Sequence, residues 1–120
     1  TISYVGLVDS GGRQFHQIRV SRIYPKANDP DGTLARLSAI DYFIDSQTLL
    51  VAKTSDLTHP KQTLTESYTH EVEFEGYTAF SGVAVPTTVR EKVGGAPIWE
   101  LHLSSINFNS TLTDADFSLQ

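Results

Sequence analysis

Apolar and polar residues alternate with a period of two along much of this chain. In residues 64–80, apolar side chains hold even positions and three glutamates lie between them. The apolar members are Leu64, Tyr68, Val72, Phe74 and Phe80, and the glutamates are Glu71, Glu73 and Glu75. Such a period keeps each set on one face of a strand but would scatter it around a helix. The pattern therefore predicts a half-buried β-strand.

Turn-forming residues recur at regular intervals and divide the chain into strands. Paired glycines at residues 11–12 and 94–95, and Gly82, predict hairpin turns because glycine adopts positive φ without steric cost. The strands predicted between the turns are residues 3–8, 13–24, 37–45, 49–57, 64–80, 83–93 and 98–108. Residues 112–117 predict a short turn or helix capped by Thr113 or Asp114.

This succession predicts an all-β fold in which about seven strands form an antiparallel meander, because consecutive strands joined by short turns usually pair. One face of the sheet is apolar and needs a cover, yet no segment predicts a covering helix. We therefore expect one β-domain over residues 1–120. Its sheet is expected to be curved or to form an unclosed half-barrel, followed by the short C-terminal turn or helix.

Composition limits the classes of partner. Nine basic and 14 acidic residues give a net charge of −5, which disfavours nucleic acid. The absence of cysteine excludes disulfides and thiolate metal sites. No apolar run approaches the roughly 20 residues of a transmembrane helix. The chain opens on Thr1 and contains no methionine, so we expect a processed or excised piece of a longer protein.

The titratable residues give no strong signature of catalysis. The histidines are His16, His59, His70 and His102. Their spacing lacks the pairs that seed metal sites, so surface or hydrogen-bonded histidines are the default. The glutamates at positions 71, 73 and 75 favour a solvated face over acid–base work. Glu100 and His102 share a polar face, which leaves open a hydrolase hypothesis that needs both in one pocket.

Two short motifs have ordinary explanations. Residues 28–32 carry oxygen ligands and a glycine but lack the downstream glutamate of a calcium loop, and turn chemistry accounts for them. Residues 109–111 match a glycosylation acceptor, a pattern common by chance. No nucleophile elbow, phosphate loop or dinucleotide fingerprint occurs. We therefore predict no catalytic residue, no metal ligand and no cofactor.

The apolar face itself is the remaining candidate surface. The residues predicted to bind a hydrophobic ligand there are Ile40, Tyr42, Val72, Phe74, Val85, Val89, Trp99, Leu101 and Leu103, and the same face is expected to hold Ile18, Val20, Ile44 and Val83. These side chains could equally form a plain core, in which Trp99 would be buried. In a cup-shaped barrel the two alternatives overlap, because the core is also the pocket wall.

A set of short motifs, in order and spacing, resembles the C-terminal part of the LolA-like, outer-membrane lipoprotein-sorting superfamily. The motifs are residues 41–45, 49–53, 73–77, 82–86, 99–101, 106–109 and 114–117. They include a strand–turn–strand, a Trp-Glu-Leu triplet, an Asn-bearing last strand, and an aspartate followed by a phenylalanine, Phe117, which the resemblance implies to be buried. The resemblance covers about residues 37–119, and no ligand-contacting residue of the family is carried over.

The resemblance implies an unclosed β-barrel that holds acyl chains of lipoproteins or other hydrophobic ligands in the bacterial periplasm or another exported location. We therefore expect a non-catalytic lipid- or lipoprotein-binding domain. The N-terminal strands and helices typical of the family are missing, so the open sheet edge and apolar face would need a cover, which a homodimer could provide. The alternative is an envelope protein–protein interaction module without a lipid ligand.

Overall fold

The computed structural model of this protein describes residues 1–61, 63–108 and 111–118. The strands are β1 (Ile2–Ser10), β2 (Arg13–Val20), β3 (Ile40–Asp45), β4 (Val51–Thr58), β5 (Tyr68–Glu75), β6 (Thr78–Phe80), β7 (Val83–Val85), β8 (Thr88–Val93) and β9 (Ala96–His102). Helix α1 spans Thr33–Leu37, and a 3₁₀ helix spans Asp114–Phe117. No helix in the described part of the chain combines the length and apolar character needed to cross a membrane.

Seven strands form one antiparallel sheet in the order β1-β2-β3-β4-β5-β8-β9. This order follows the chain except that β6 and β7 pair only with each other and form a small separate hairpin. Strands β1 and β9 lie at the two edges, so the sheet is not closed into a barrel. The predicted all-β, antiparallel and unclosed architecture is confirmed.

Two long predicted strands were wrong in extent, and the β6–β7 hairpin explains both. Residues 64–80 break after Glu75, and residues 83–93 break between Val85 and Thr88. Gly76 has a φ of +62° and turns the chain out of the sheet. On the return, the Thr87 amide donates to the carbonyl oxygens of Glu75 and Gly76, which closes the base of the hairpin.

The other predicted boundaries shift at loops. β2 ends at Val20, and residues 33–37 are helical where a strand from 37 was expected. Asp29 is buried below that helix, and its two carboxylate oxygens accept the amides of Leu34 and Ala35, each at 2.9 Å. Within the described ranges no group of three or more His, Cys, Asp or Glu side chains is arranged to hold a metal ion. Asp29 holds the first turn of helix α1 through its two hydrogen bonds.

The C-terminal 3₁₀ helix matches the predicted short turn or helix, but Phe117, which the resemblance implied to be buried, is 73% exposed. The 3₁₀ helix begins after Thr113, whose amide and hydroxyl both donate to Asp116 Oδ2, at 2.7 and 2.9 Å. The strand predicted to reach residue 108 ends at His102, which leaves Leu103 beyond it. Residues 109 and 110 of the glycosylation pattern lie outside the described residues, as does residue 119 of the family resemblance.

Antiparallel register divides the sheet into two chemically distinct faces, because residues paired across strands share a face. We call one the apolar face, defined by Ile18, Val20, Ile40, Tyr42, Ile44, Val72, Phe74, Val89, Val93, Trp99 and Leu101. We call the other the charged face, defined by Arg13, Arg19, Asp41, Asp45, Lys53, Glu71, Glu73, Glu75, Arg90, Lys92, Glu100 and His102.

No part of the chain that the structure describes covers the apolar face. No apolar side chain in residues 1–61, 63–108 and 111–118 is fully buried. The accessible surface is 8883 Å², whereas a compact chain of 13.2 kDa exposes about 6400 Å². The radius of gyration, 17.9 Å, exceeds the value of about 14 Å expected for a compact domain of this length. The sheet is therefore spread out, and its potential core lies open on one side.

The backbone turn at Gly76 generates a stability prediction. A Cβ built on Gly76 would lie 2.5 Å from Thr87 Oγ1, and the positive φ adds backbone strain. Thr87 Oγ1 also donates to the Gly76 carbonyl at 2.7 Å, so it cannot move aside without losing that bond. We expect Gly76→Ala to lower the free energy of unfolding by about 1–3 kcal/mol more than Gly12→Ala in urea denaturation.

Gly12 is the matched control because its φ is +76°, but a Cβ added to it would meet nothing within 4 Å. In a Thr87→Ala background the excess cost of Gly76→Ala should shrink, because the clashing oxygen is gone. Equal costs at Gly76 and Gly12 would show that the hairpin base is not sterically constrained.

Candidate ligand-binding face

Most residues predicted to bind a ligand lie together on the apolar face. Residues paired from strand to strand form rows across the sheet, which we call register rows. One row contains Ile18, Tyr42, Thr54 and Val72, and another contains Phe74, Val89 and Leu101. These rows run across the sheet, since neighbouring strands lie about 5 Å apart. The result is a continuous apolar surface instead of separate patches.

The solvent exposure of these side chains varies across the sheet. Tyr42, Val72, Phe74 and Val89 are half-buried by their neighbours on adjoining strands. Trp99 is 44% exposed, because it lies on edge strand β9 with no further strand beyond it. The expectation that Trp99 is buried was therefore wrong, although the face assigned to it agrees with its pairing to Glu91 and the row that includes Val72.

Two predicted residues lie away from this surface, and a third lies just beyond the end of an edge strand. Val83 and Val85 belong to β7 and pair with β6, so they are not part of the seven-stranded sheet. Leu103 follows the end of β9, where its amide donates to the Thr87 carbonyl at 2.8 Å. The alternation that included them was interrupted by the hairpin and by the end of the strand.

A charged cluster that the sequence did not reveal lies in the apolar face. His70 Nδ1 lies 2.6 Å from Asp56 Oδ1, and His70 Nε2 lies 2.8 Å from Glu91 Oε1. We call Asp56, His70 and Glu91 the trio. Asp56 is paired directly with His70, while Glu91 lies between Val72 and Trp99 in one register row. The three residues thus interrupt an otherwise hydrophobic surface.

The two carboxylates stabilise the charged imidazole. The hydrogen bond to Asp56 raises the pKa of His70 above its ordinary value of 6.5, and the bond to Glu91 raises it further against the opposing effect of burial. His70 and Glu91 keep only about a quarter of their side-chain surface, and Asp56 somewhat more. With His70 protonated the trio carries one net negative charge, and with it neutral it carries two.

The charged face is organised as a ladder in which the sign of the charge changes from strand to strand. Cross-strand ion pairs join Arg19 to Asp41 at 2.7 Å, Lys53 to Glu71 at 2.6 Å and Lys92 to Glu73 at 2.7 Å. Arg90 contacts Glu75 and Glu100 on the two strands that flank it. Arg19 lies directly opposite Asp41, whereas Lys53 and Lys92 bond glutamates placed diagonally across from them. Opposite charges on neighbouring strands, directly or diagonally across, favour this register over a shifted one.

The same face contains two aromatic side chains covered by cations. Lys53 Nζ lies 4.7 Å from the centre of the Phe43 ring, and the Arg13 guanidinium lies 5.2 Å from that of Phe15. Arg13 also donates to buried Asp45, which accepts the amides of Gln47 and Thr48. These bonds, led by that from the Thr48 amide, hold the pKa of Asp45 far below its ordinary range.

Both sets of candidates for acid–base chemistry are held in ion pairs. Glu71, Glu73 and Glu75 are each engaged by a cation of the ladder. His102 Nε2 lies 2.5 Å from Glu100 Oε1, so this pair does meet, but on edge strand β9 with the His102 side chain 67% exposed. The hydrolase hypothesis needed these two side chains inside one pocket, and an exposed edge strand does not provide that setting.

Depressions in the described part of the surface have volumes of about 160–400 Å³ and are lined by both polar and apolar groups. One of about 160 Å³ is lined by charged-face residues including Arg13, Lys53 and Glu73. Another, of about 400 Å³, lies beside the first hairpin turn and includes Asp9 and Asp45. The apolar face offers a broad open surface in place of an enclosed pocket. Comparison of the chain with protein-family models, curated proteins and solved structures finds no match.

The trio generates a pH prediction with a definite sign. Because folding raises the pKa of His70, its stabilising contribution is fully present below pH 6.5, the ordinary pKa, and is lost as the pH rises through the folded value. We expect NMR titration of the His70 ring to give a midpoint above 6.5. Asp56→Asn should lower that midpoint, because it removes the principal hydrogen-bond acceptor.

Glu73→Gln is the matched control, since Glu73 lies on the charged face and bonds Lys92. It should leave the His70 midpoint nearly unchanged. A wild-type midpoint at or below 6.5 would mean that the two carboxylates do not hold the imidazolium.

Proposed function

We propose that this chain is a LolA-like, non-catalytic binding domain of the bacterial envelope, with an exported, periplasmic location, whose apolar face receives the acyl chain of a lipid or lipoprotein. The observation that carries the proposal is the open apolar face on a sheet whose reverse side is an ion-paired ladder. Burial of apolar area in water is favourable, so such a face attracts a hydrophobic occupant.

The distribution of charge supports this assignment of faces. On the charged face, cations and carboxylates pair across neighbouring strands and remain partly hydrated. An apolar ligand would strip water from many charges there, which is costly. On the apolar face, a chain lying across Phe74, Val89 and Leu101 meets only hydrocarbon and aromatic groups.

The order and spacing of the family-like motifs support the same proposal. Several of these motifs supply strands of the central sheet: residues 41–45 lie in β3, and residues 51–53 begin β4. An unclosed antiparallel sheet is the architecture that the resemblance implies. The ligand class and the envelope location follow from the resemblance alone.

The single tryptophan provides the test, because Trp99 lies on the proposed binding face and is 44% exposed. We expect monolauroyl glycerol, added below its critical micelle concentration, to shift Trp99 emission to shorter wavelength in a saturable manner. Protein purified without detergent should also carry acyl lipid detectable by native mass spectrometry. An unchanged emission spectrum together with the absence of co-purified lipid would contradict the proposal.

Two substitutions on adjacent positions of β9 separate the faces. Leu101→Asp places a charge on the apolar face, whereas His102→Asp places the same charge on the charged face. Both positions are exposed on an edge strand, so both variants should fold. We expect calorimetric binding of monolauroyl glycerol to weaken at least about tenfold in Leu101→Asp and to change little in His102→Asp.

A second candidate is a protein-interaction module in which two copies cover each other's apolar faces. The observation that favours it is the accessible surface of 8883 Å², about 2500 Å² above that of a compact chain. A standard interface buries about 800 Å² on each partner, so one face offers enough area. The carboxylates of the trio disfavour this arrangement, because each copy would bring net negative charge to the interface.

Sedimentation velocity tests the second candidate directly. A face-to-face dimer predicts a mass near twice 13.2 kDa at micromolar concentration, and Leu101→Asp should shift it to the monomer while His102→Asp should not. A wild-type protein that sediments as a monomer, with or without lipid, would exclude the dimer.

A further inference from the structure

The trio has hydrogen-bonding capacity that the protein leaves free. Asp56 uses Oδ1 and Glu91 uses Oε1 to bond His70. Within the described residues, Asp56 Oδ2 and Glu91 Oε2 accept no hydrogen bond, and neither is buried. Water therefore satisfies these two oxygens while the apolar face is open. An occupant that extends over the trio must replace that water or leave carboxylate oxygens unsatisfied.

This requirement discriminates between ligands that share an acyl chain. A plain hydrocarbon lying over Glu91 would strip the carboxylate of its water without compensation, which is costly for a charged group. An anionic head group would add repulsion to that cost, because the trio is negative whether or not His70 is protonated. A head group with N–H donors would instead make charge-assisted hydrogen bonds, which are the strong ones.

The neighbouring cations do not neutralise the trio. Arg22 and Arg36 line depressions that include Asp56 at the end of the sheet. No ion pair in the described ranges joins either arginine to Asp56. Around Glu91, the residues paired with it on the two flanking strands are Val72 and Trp99, which carry no charge.

We propose that the preferred ligand of the apolar face is an amphiphile with an alkyl chain and a primary ammonium head group. The chain lies over Val72, Val89 and Leu101, and the ammonium donates to a free carboxylate oxygen of the trio, with Glu91 the carboxylate nearest to that chain. This inference rests on the proposed function, because it requires that the apolar face binds a hydrocarbon chain. It adds the chemical class of the head group that accompanies the chain.

The test compares dodecylammonium with dodecanoate, each below its critical micelle concentration, by titration calorimetry at one ionic strength. We expect dodecylammonium to bind about tenfold or more tightly than dodecanoate, as one charge-assisted hydrogen bond predicts. Equal affinities, or tighter binding of dodecanoate, would overturn the inference.

Matched double variants separate the trio from the net charge of −5, which also attracts cations. Asp56→Asn combined with Glu91→Gln removes two charges from the apolar face, and Glu75→Gln combined with Glu100→Gln removes two from the charged face. The first pair should abolish the preference for dodecylammonium, and the second should retain it. Retention of the preference in the first pair would assign it to the overall charge and overturn the inference.

A measurement on the wild-type protein avoids dependence on the folding of these variants. Saturation with dodecylammonium should shift the ring resonances of His70, because the ammonium contacts the carboxylates that hold the imidazole. Unshifted His70 resonances at saturation would place the head group elsewhere and overturn the inference.

Monolauroyl glycerol distinguishes failure of the inference from failure of the proposed function. If it binds but dodecylammonium binds no more tightly than dodecanoate, only the inference fails. If none of the three amphiphiles binds, the proposed function fails.

Discussion

The register of antiparallel pairing is the constraint on which the rest of this structure depends. A slip of one residue between two strands would move every side chain of one strand to the opposite face. The ladder of alternating charge resists such a slip: Lys53 lies opposite Glu73 and bonds Glu71 diagonally, and Lys92 lies opposite Glu71 and bonds Glu73 diagonally. Each pair is worth little by itself at a partly exposed site, yet together they favour one register over its neighbours.

With that register in place, the unusual exposure of the molecule follows. The charges gather on one side, so the apolar side chains gather on the other, where no layer covers them. The same pairing brings His70 between Asp56 and Glu91, which puts negative charge into an apolar surface. The amphiphile proposed as the ligand would match both features, its chain the open hydrophobic face and its head group the polar anchor.

Individual residues show how much of the apolar face could be predicted from the sequence. Val72 and Phe74 were assigned to the apolar face by alternation, and their half-buried positions agree with that assignment. Val85 was assigned by the same rule but pairs within the separate hairpin, and Leu103 lies just beyond the end of β9, because alternation cannot reveal that a strand leaves the sheet at Gly76 or ends at His102. His70 occupied an even position beside Val72, which was the available signal that a charged group would face the apolar side. Its partners lie 14 and 21 residues away along the chain and emerge only once the pairing is known.

By itself, the sequence determined the all-β class, the hairpin turns at paired glycines and the polarity of each strand face, because turn chemistry and a period of two are local properties. Only the tertiary structure decided the separate β6–β7 hairpin, the half-exposed position of Trp99 and the assembly of the trio. These depend on which strands become neighbours and which lie at an edge. Contacts between segments distant along the chain decide these features, because the pattern within one strand does not specify which other strand it pairs with.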